Sequence, residues 1–140
     1  MLINREFGFD MGHMLPDHLG GCYRLHGHRY RLDVCLDDDL ATSGAERGMV
    51  MDFARLKQVV EREVIDRFDH RFAVCRSDPR AQGLLDTLSE DDGLIFTEQP
   101  PTAENLVTII AGLLADTGLP IMTLRLWETP TCSAMWVRPS

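Results

Sequence analysis

From His26 to Leu36 the sequence HGHRYRLDVCL puts His26, His28, Tyr30, Leu32, Val34 and Leu36 on one parity, and Gly27, Arg29, Arg31, Asp33 and Cys35 on the other. Side chains two residues apart on a strand share a face, so alternation of this length specifies a half-buried β-strand rather than a helix. The apolar face needs a covering layer. It also carries two imidazoles, which on a buried face need hydrogen-bond partners or a metal ion.

The cover comes from two amphipathic helices. Behind Asp52, an N-cap, the run FARLKQVVEREVIDRF sets Phe53, Leu56, Val60, Val64 and Phe68 on one side. A second helix opens at PTAEN with Thr102 as cap, and Leu106, Ile109, Ile110, Leu113 and Leu114 form its apolar stripe before Gly118 and Pro120 stop it. Three more stretches read as strands. INREFGF alternates with Ile3, Phe7 and Phe9 inward, IMTLRLWE with Met122, Leu124, Leu126 and Glu128, and SAMWV can pair back across the TPT turn.

The order, two strands, a helix, a second helix and two strands, predicts an α+β fold: an antiparallel four-stranded sheet with two helices on one face. Residues 1–140 are expected to form one domain, with a long inter-helix excursion at about 75–101 containing one helical turn and a short strand. A four-stranded sheet leaves two edges, which oligomerisation would close.

The formal charge of -8, from 22 acidic residues against 14 basic ones, repels a phosphate backbone or an anionic membrane, so neither nucleic acid nor membrane is expected as a partner. The N-terminus has charges within its first six residues and no apolar run of signal length, making the cytoplasm the expected location. Cys22, Cys35, Cys75 and Cys132 form no CxxC pair and are expected as reduced thiols. Cys35 and Cys132 read as small buried hydrophobes, and Cys75 carries no signal.

His26 and His28 can converge on one metal ion, and an open zinc site takes three protein ligands. His13, at the end of the first strand, is the choice for the third, with His18 as its rival. An isolated HxH pair is more often exposed or singly hydrogen-bonded, but His13 and Cys22 within so short a span favour a metal. Cys22, after the flexible HLGG, would be a fourth ligand or a reactive base. Asp69 and His70 are adjacent, as in a carboxylate-oriented imidazole, although a histidine near a helix C-terminus also suits the helix dipole. Glu128 puts a charge on a face otherwise apolar, where a ligand with amidine-like N–H groups would satisfy it. Glu104 lies in the first helical turn, where the dipole alone accounts for an acid.

In succession, FDMGH, CYRLHGHRY, GMVMDFARLK, FDH, PTAEN and WET resemble the 6-pyruvoyltetrahydropterin synthase family, and the spacing from Cys22 to His26 and His28 resembles its 6-carboxytetrahydropterin synthase branch, the queuosine-pathway enzymes. The resemblance implies the T-fold, whose subunits join sheets into barrels, with a hexamer built from two trimers. It implies Zn2+ on His13, His26 and His28, Cys22 as the proton-abstracting thiol, Asp69 and His70 as its acid/base partners, and Glu128 as the anchor of the pterin ring. Thr102 and Glu104 match the segment near the pterin pocket. The implied activity is that of a lyase converting 7,8-dihydroneopterin triphosphate to 6-carboxy-5,6,7,8-tetrahydropterin with release of triphosphate and acetaldehyde.

Three stretches depart from the family pattern. FDMGH stands in place of FxAAH, DHRFAV lacks the usual Leu-Asn, and the span from Cys75 to Pro101 is long, changes that can retune side-chain preference. The alternatives are the 6-pyruvoyl activity, which eliminates triphosphate only, and a non-catalytic pterin- or metal-binding module. A cysteine hydrolase built from Cys22 and His70 is a further one, and it would leave His26 and His28 unexplained.

Overall fold

The computed structural model describes residues 1–140. β1 (Leu2–His13) and β2 (His26–Asp37) pair antiparallel along their whole lengths, from Leu2 opposite Asp37 to His13 opposite His26. β3 (Arg71–Cys75) lies parallel to β1, and β4 (Leu94–Thr97) parallel to β3. On the other side β2 pairs antiparallel with β5 (Ile121–Thr129), and β5 with β6 (Cys132–Val137). The antiparallel β1, β2, β5 and β6 are the four strands read from the sequence and β4 is the short strand expected in the excursion, but both β3 and β4 join the same sheet, which has six strands in the order β4-β3-β1-β2-β5-β6. RFAVC and LIFT are short and apolar without strict alternation, so no period distinguished β3 from the end of the preceding helix.

α1 (Phe53–Val60) starts at Asp52, whose carboxylate accepts from the Ala54 N–H at 2.7 Å, and runs on through a π turn (Glu61–Ile65) into α2 (Asp66–Phe68). The π turn has a cause in the sequence. Leu56, Val60, Val64 and Phe68 are each four residues apart, and at 3.6 residues per turn every such step would carry the stripe about 40° around the helix. A looser turn takes up that drift and keeps all four buried. Phe53, expected on the same stripe, is 48% exposed at the first turn.

After α3 (Ala81–Leu85) comes α4 (Ala103–Ala115), where the Thr102 hydroxyl accepts from the Asn105 N–H at 3.4 Å. Leu56, Val60 and Val64 together with Leu106, Ile110 and Leu114 close over Tyr30, Leu32, Val34, Leu36, Leu124 and Leu126, all at most 1% exposed. At roughly 1.5–3 kcal/mol per buried aliphatic side chain, this layer is the main stabilising contribution. No helix is long and apolar enough to cross a membrane.

The excursion is docked rather than loose. Ala81 from α3 packs with Met14 and Val74 in a second small core, which Phe72, Leu84 and Phe96 flank. Two thiols differ from expectation: Cys132 is exposed on the edge strand and Cys35 is half-buried, because it sits on the outward parity of β2. The fully buried thiol is Cys75.

Candidate metal centre and adjoining cavity

Register brings the histidines together. His13 lies directly opposite His26, and Met11 opposite His28, so the three imidazoles project from the helix-covered face of two neighbouring strands. Beneath them Phe9 stacks on Tyr30, with ring centroids 5.2 Å apart and planes at 12°. His13 is 0% exposed, and His26 and His28 are half-buried.

Two backbone carbonyls orient the rings. His13 Nδ1 lies 2.8 Å from the Pro101 carbonyl, and His26 Nδ1 lies 2.8 Å from the Arg24 carbonyl. A carbonyl only accepts, so each Nδ1 carries the proton and each Nε2 is left with a lone pair. Those two Nε2 atoms face each other at 3.0 Å, and His28 Nε2 is buried with no hydrogen-bond partner. One ligand atom from each ring lies within 4.8 Å of the other two. Two nitrogen lone pairs at 3.0 Å repel unless a proton or a metal cation lies between them, and only a metal also takes up the third, unpartnered nitrogen. The donor set of three neutral imidazoles, each of two locked in one tautomer by an outer carbonyl, fits a divalent metal.

The electrostatics agree. Burial is the main force that holds the His13 ring below the usual histidine range; the Pro101 carbonyl and Glu128 oppose it, while His26 and His28 add to it. Burial likewise lowers His28, against the pull of Glu128. Glu128 on β5 places Oε1 at 3.6 Å from His13 Nε2 and 3.7 Å from His28 Nε2, beside the centre but beyond hydrogen-bond length. Tyr30, 0% exposed, has its hydroxyl pushed above its ordinary range, first by burial and then by Glu128 and Cys22.

A cavity of about 320 Å³ adjoins the centre, with Cys22, Thr102, Glu104 and Glu128 on its wall. This is the size of a pocket for a small heterocycle. Cys22 sits in a short 3-10 turn, Gly21–Tyr23, and its carbonyl accepts from the Leu15 N–H at 2.9 Å. His18 also lines the cavity, but its Nδ1 accepts from the Gly20 N–H at 2.9 Å and it stands outside the three-histidine cluster.

Asp69 and His70 form their expected pair but elsewhere. Asp69 accepts from the Asp10 N–H at 2.9 Å through Oδ1 and lies 2.9 Å from His70 Nδ1 through Oδ2. The Asp10 N–H is the chief cause of a carboxyl held below the usual range. His70 has φ +58 and bonds through its own N–H to the Asp10 carbonyl at 2.7 Å, so a left-handed backbone and two ties to β1 fix the pair. Its ring is 80% exposed and opens onto a different cavity, shared with His28, Arg29 and Arg71. Sequence reasoning missed the Pro101 and Arg24 carbonyls, because any residue supplies a carbonyl and no residue type signals one.

The family model described as 6-pyruvoyl tetrahydropterin synthase matches residues 2–139. The chain is 40% identical over 131 residues to a Haemophilus influenzae protein named 6-carboxy-5,6,7,8-tetrahydropterin synthase, covering 92% of this chain and 93% of that one. A Synechocystis protein of the same name is 34% identical over 140 residues, covering 99% and 94%. Among solved structures, an uncharacterised protein of Wolinella succinogenes superposes with a TM-score of 0.78 at 22% identity, covering 99% and 98% of the two chains. The Caenorhabditis elegans 6-pyruvoyl tetrahydropterin synthase gives 0.70 at 23%, covering 99% and 96%. These neighbours share the T-fold, and a match across nearly the whole chain leaves no part of the sheet or the histidine cluster outside it: the chain belongs to the 6-pyruvoyl tetrahydropterin synthase family.

Proposed function

We propose that the chain is a zinc-dependent 6-carboxy-5,6,7,8-tetrahydropterin synthase, a lyase acting on 7,8-dihydroneopterin triphosphate. The observation that carries this reading is the convergence of one ring nitrogen from each of three histidines beside a cavity walled by Cys22 and Glu128. The names of the 40% and 34% identical relatives support the carboxy product over the pyruvoyl one.

His13, His26 and His28 would hold the zinc ion, which when bound supplies Lewis acidity toward oxygen atoms of the substrate side chain. Glu128 accepts hydrogen bonds from the N–H groups of the pterin ring, with Thr102 and Glu104 at the same wall. Cys22 takes the side-chain proton as thiolate, and the Asp69-oriented imidazole of His70 gives or receives the matching one. Cys22 and His70 open onto different cavities, so in this reading the two meet across a subunit boundary. The unpaired edges of β4 and β6, the latter with Met135 and Val137 each 51% exposed, support a homo-oligomer with joined sheets, a hexamer of two trimers of single-domain subunits.

The test is to give zinc-loaded protein 7,8-dihydroneopterin triphosphate and assay acetaldehyde and pterin products together by mass spectrometry. Acetaldehyde with 6-carboxytetrahydropterin is expected. Triphosphate release without acetaldehyde would move the assignment to the pyruvoyl reaction, and an untouched substrate would refute turnover. Mixing inactive Cys22→Ala and His70→Ala subunits should restore part of the activity; no restoration would overturn the shared site.

A further inference from the structure

The turn that carries Cys22 is weakly tied to the body of the protein. Leu19 and Leu25 are exposed, Tyr23 is half-exposed, the turn's own bonds, Tyr23 N–H to Gly20 and Arg24 N–H to Gly21, are local, and its other backbone ties are only the Leu15 N–H on the Cys22 carbonyl and His26 Nδ1 on the Arg24 carbonyl. A distant residue supplies an anchor. Asp78, 3% exposed, lies in the stretch after β3, and its carboxylate accepts from Arg80 three times: from the backbone N–H at 2.9 Å, from Nε at 2.9 Å and from Nη2 at 2.6 Å. A buried carboxylate needs such donors, and they lock the planar guanidinium.

The locked fork faces the Cys22 turn. Arg80 Nη1 donates to the Tyr23 carbonyl, Nη2 to the Leu15 carbonyl at 3.4 Å, and the guanidinium carbon lies 3.8 Å from the centre of the Tyr23 ring. Leu15 is the residue whose N–H holds the Cys22 carbonyl, and Tyr23 follows Cys22 directly. One arginine therefore grips the chain on both sides of the thiol. Lysine lacks the fork to reach both carbonyls while stacking on the ring.

We propose that Arg80, braced by Asp78, is the positioning residue for Cys22, so that the excursion between β3 and β4 sets where the thiol stands in the cavity. The proposal rests on the reading of Cys22 as the proton-abstracting thiol. It gives the extra chain length a task, since Asp78 and Arg80 lie within it.

The test compares wild type with Arg80→Ala, Arg80→Lys, Tyr23→Leu and Cys22→Ala in the zinc-loaded oligomer, with kcat, KM, metal content and hydrogen exchange of the 15–25 peptide as readouts. Arg80→Ala should lower kcat on the order of 100-fold, the cost of misplacing a reacting group by about 1 Å, with KM nearly unchanged and metal retained. Exchange in the 15–25 peptide should rise, and Arg80→Lys should fall between. Tyr23→Leu, which leaves the Asp78–Arg80 pair whole, should lower kcat in the same direction, and it decides the matter if Arg80→Ala does not fold. An active Cys22→Ala would defeat the reading of the thiol and the proposal with it. An inactive Cys22→Ala beside unchanged kcat in the Arg80 and Tyr23 variants would overturn the positioning role alone.

Discussion

Gly12 separates Met11 from the metal-centre residue His13, and a methyl group there has nowhere to go. A Cβ at residue 12 would stand 2.5 Å from Phe72 Cδ2 and 3.2 Å from the His26 carbonyl. Carbon atoms rest comfortably at about 3.5–4.0 Å, so the ring must retreat by roughly 1 Å. Phe72 cannot swing freely, because it is the parallel partner of Gly12 in the sheet and flanks the small core of Met14, Val74 and Ala81. Overpacking of this kind costs about 1–3 kcal/mol. At about 3–4 °C per kcal/mol for a chain of this size, Gly12→Ala should lower the melting temperature by several degrees. Trimming the ring should relieve the clash: Gly12→Ala with Phe72→Leu should be more stable than the sum of the single losses by about 1 kcal/mol. Thermal and urea unfolding of the four proteins measures both effects. A Gly12→Ala variant as stable as wild type, or strictly additive losses, would refute the reasoning.

Substituting Ala for His13, His26 or His28 should each abolish stoichiometric zinc by elemental analysis, and chelation of the wild type should lower its melting temperature; binding that survives loss of any one ring would place the metal elsewhere. Asp69→Asn should reduce turnover by about 10²-fold or more while leaving metal content intact, since it unfastens the His70 imidazole from its carboxylate; unchanged turnover would remove the pair from the reaction. Asp78 has its carboxyl held below the usual range, first by the Arg80 side chain and against the effect of burial. A depressed carboxylate adds stability that is present above its unfolded pKa, near 4, and is lost as pH falls through the lower folded value. Asp78→Asn should therefore destabilise at pH 7 in a melting experiment, with the gap to wild type closing as pH falls below about 4. A gap independent of pH would show that the charge is not what holds Arg80.

Much of the centre was legible because parity alone puts His26 and His28 on the face of Tyr30 and Leu32, and a strand cannot present them otherwise without exposing its apolar set. The third histidine depended on register, since only with Leu2 opposite Asp37 does His13 arrive opposite His26. Glu128 was readable as an anomaly, a charge on an apolar parity. Asp78 and Arg80 offered no such contrast: in SDPRAQ both look like ordinary loop charges, and burial becomes apparent only once α3 has docked on Met14 and Val74. Asp69 and His70 were legible as a pair but not in direction, because a left-handed residue after a helix turns the ring wherever the chain leads next. Strand periodicity thus reveals groups fixed by the sheet. Groups fixed by a docked loop or a single φ depend on tertiary contacts that have no period, and here Cys22 and the Asp69–His70 pair both fall in that class. The sheet-borne histidines and Glu128 were readable from the sequence, whereas the placement of the groups that would move protons had to come from the structure.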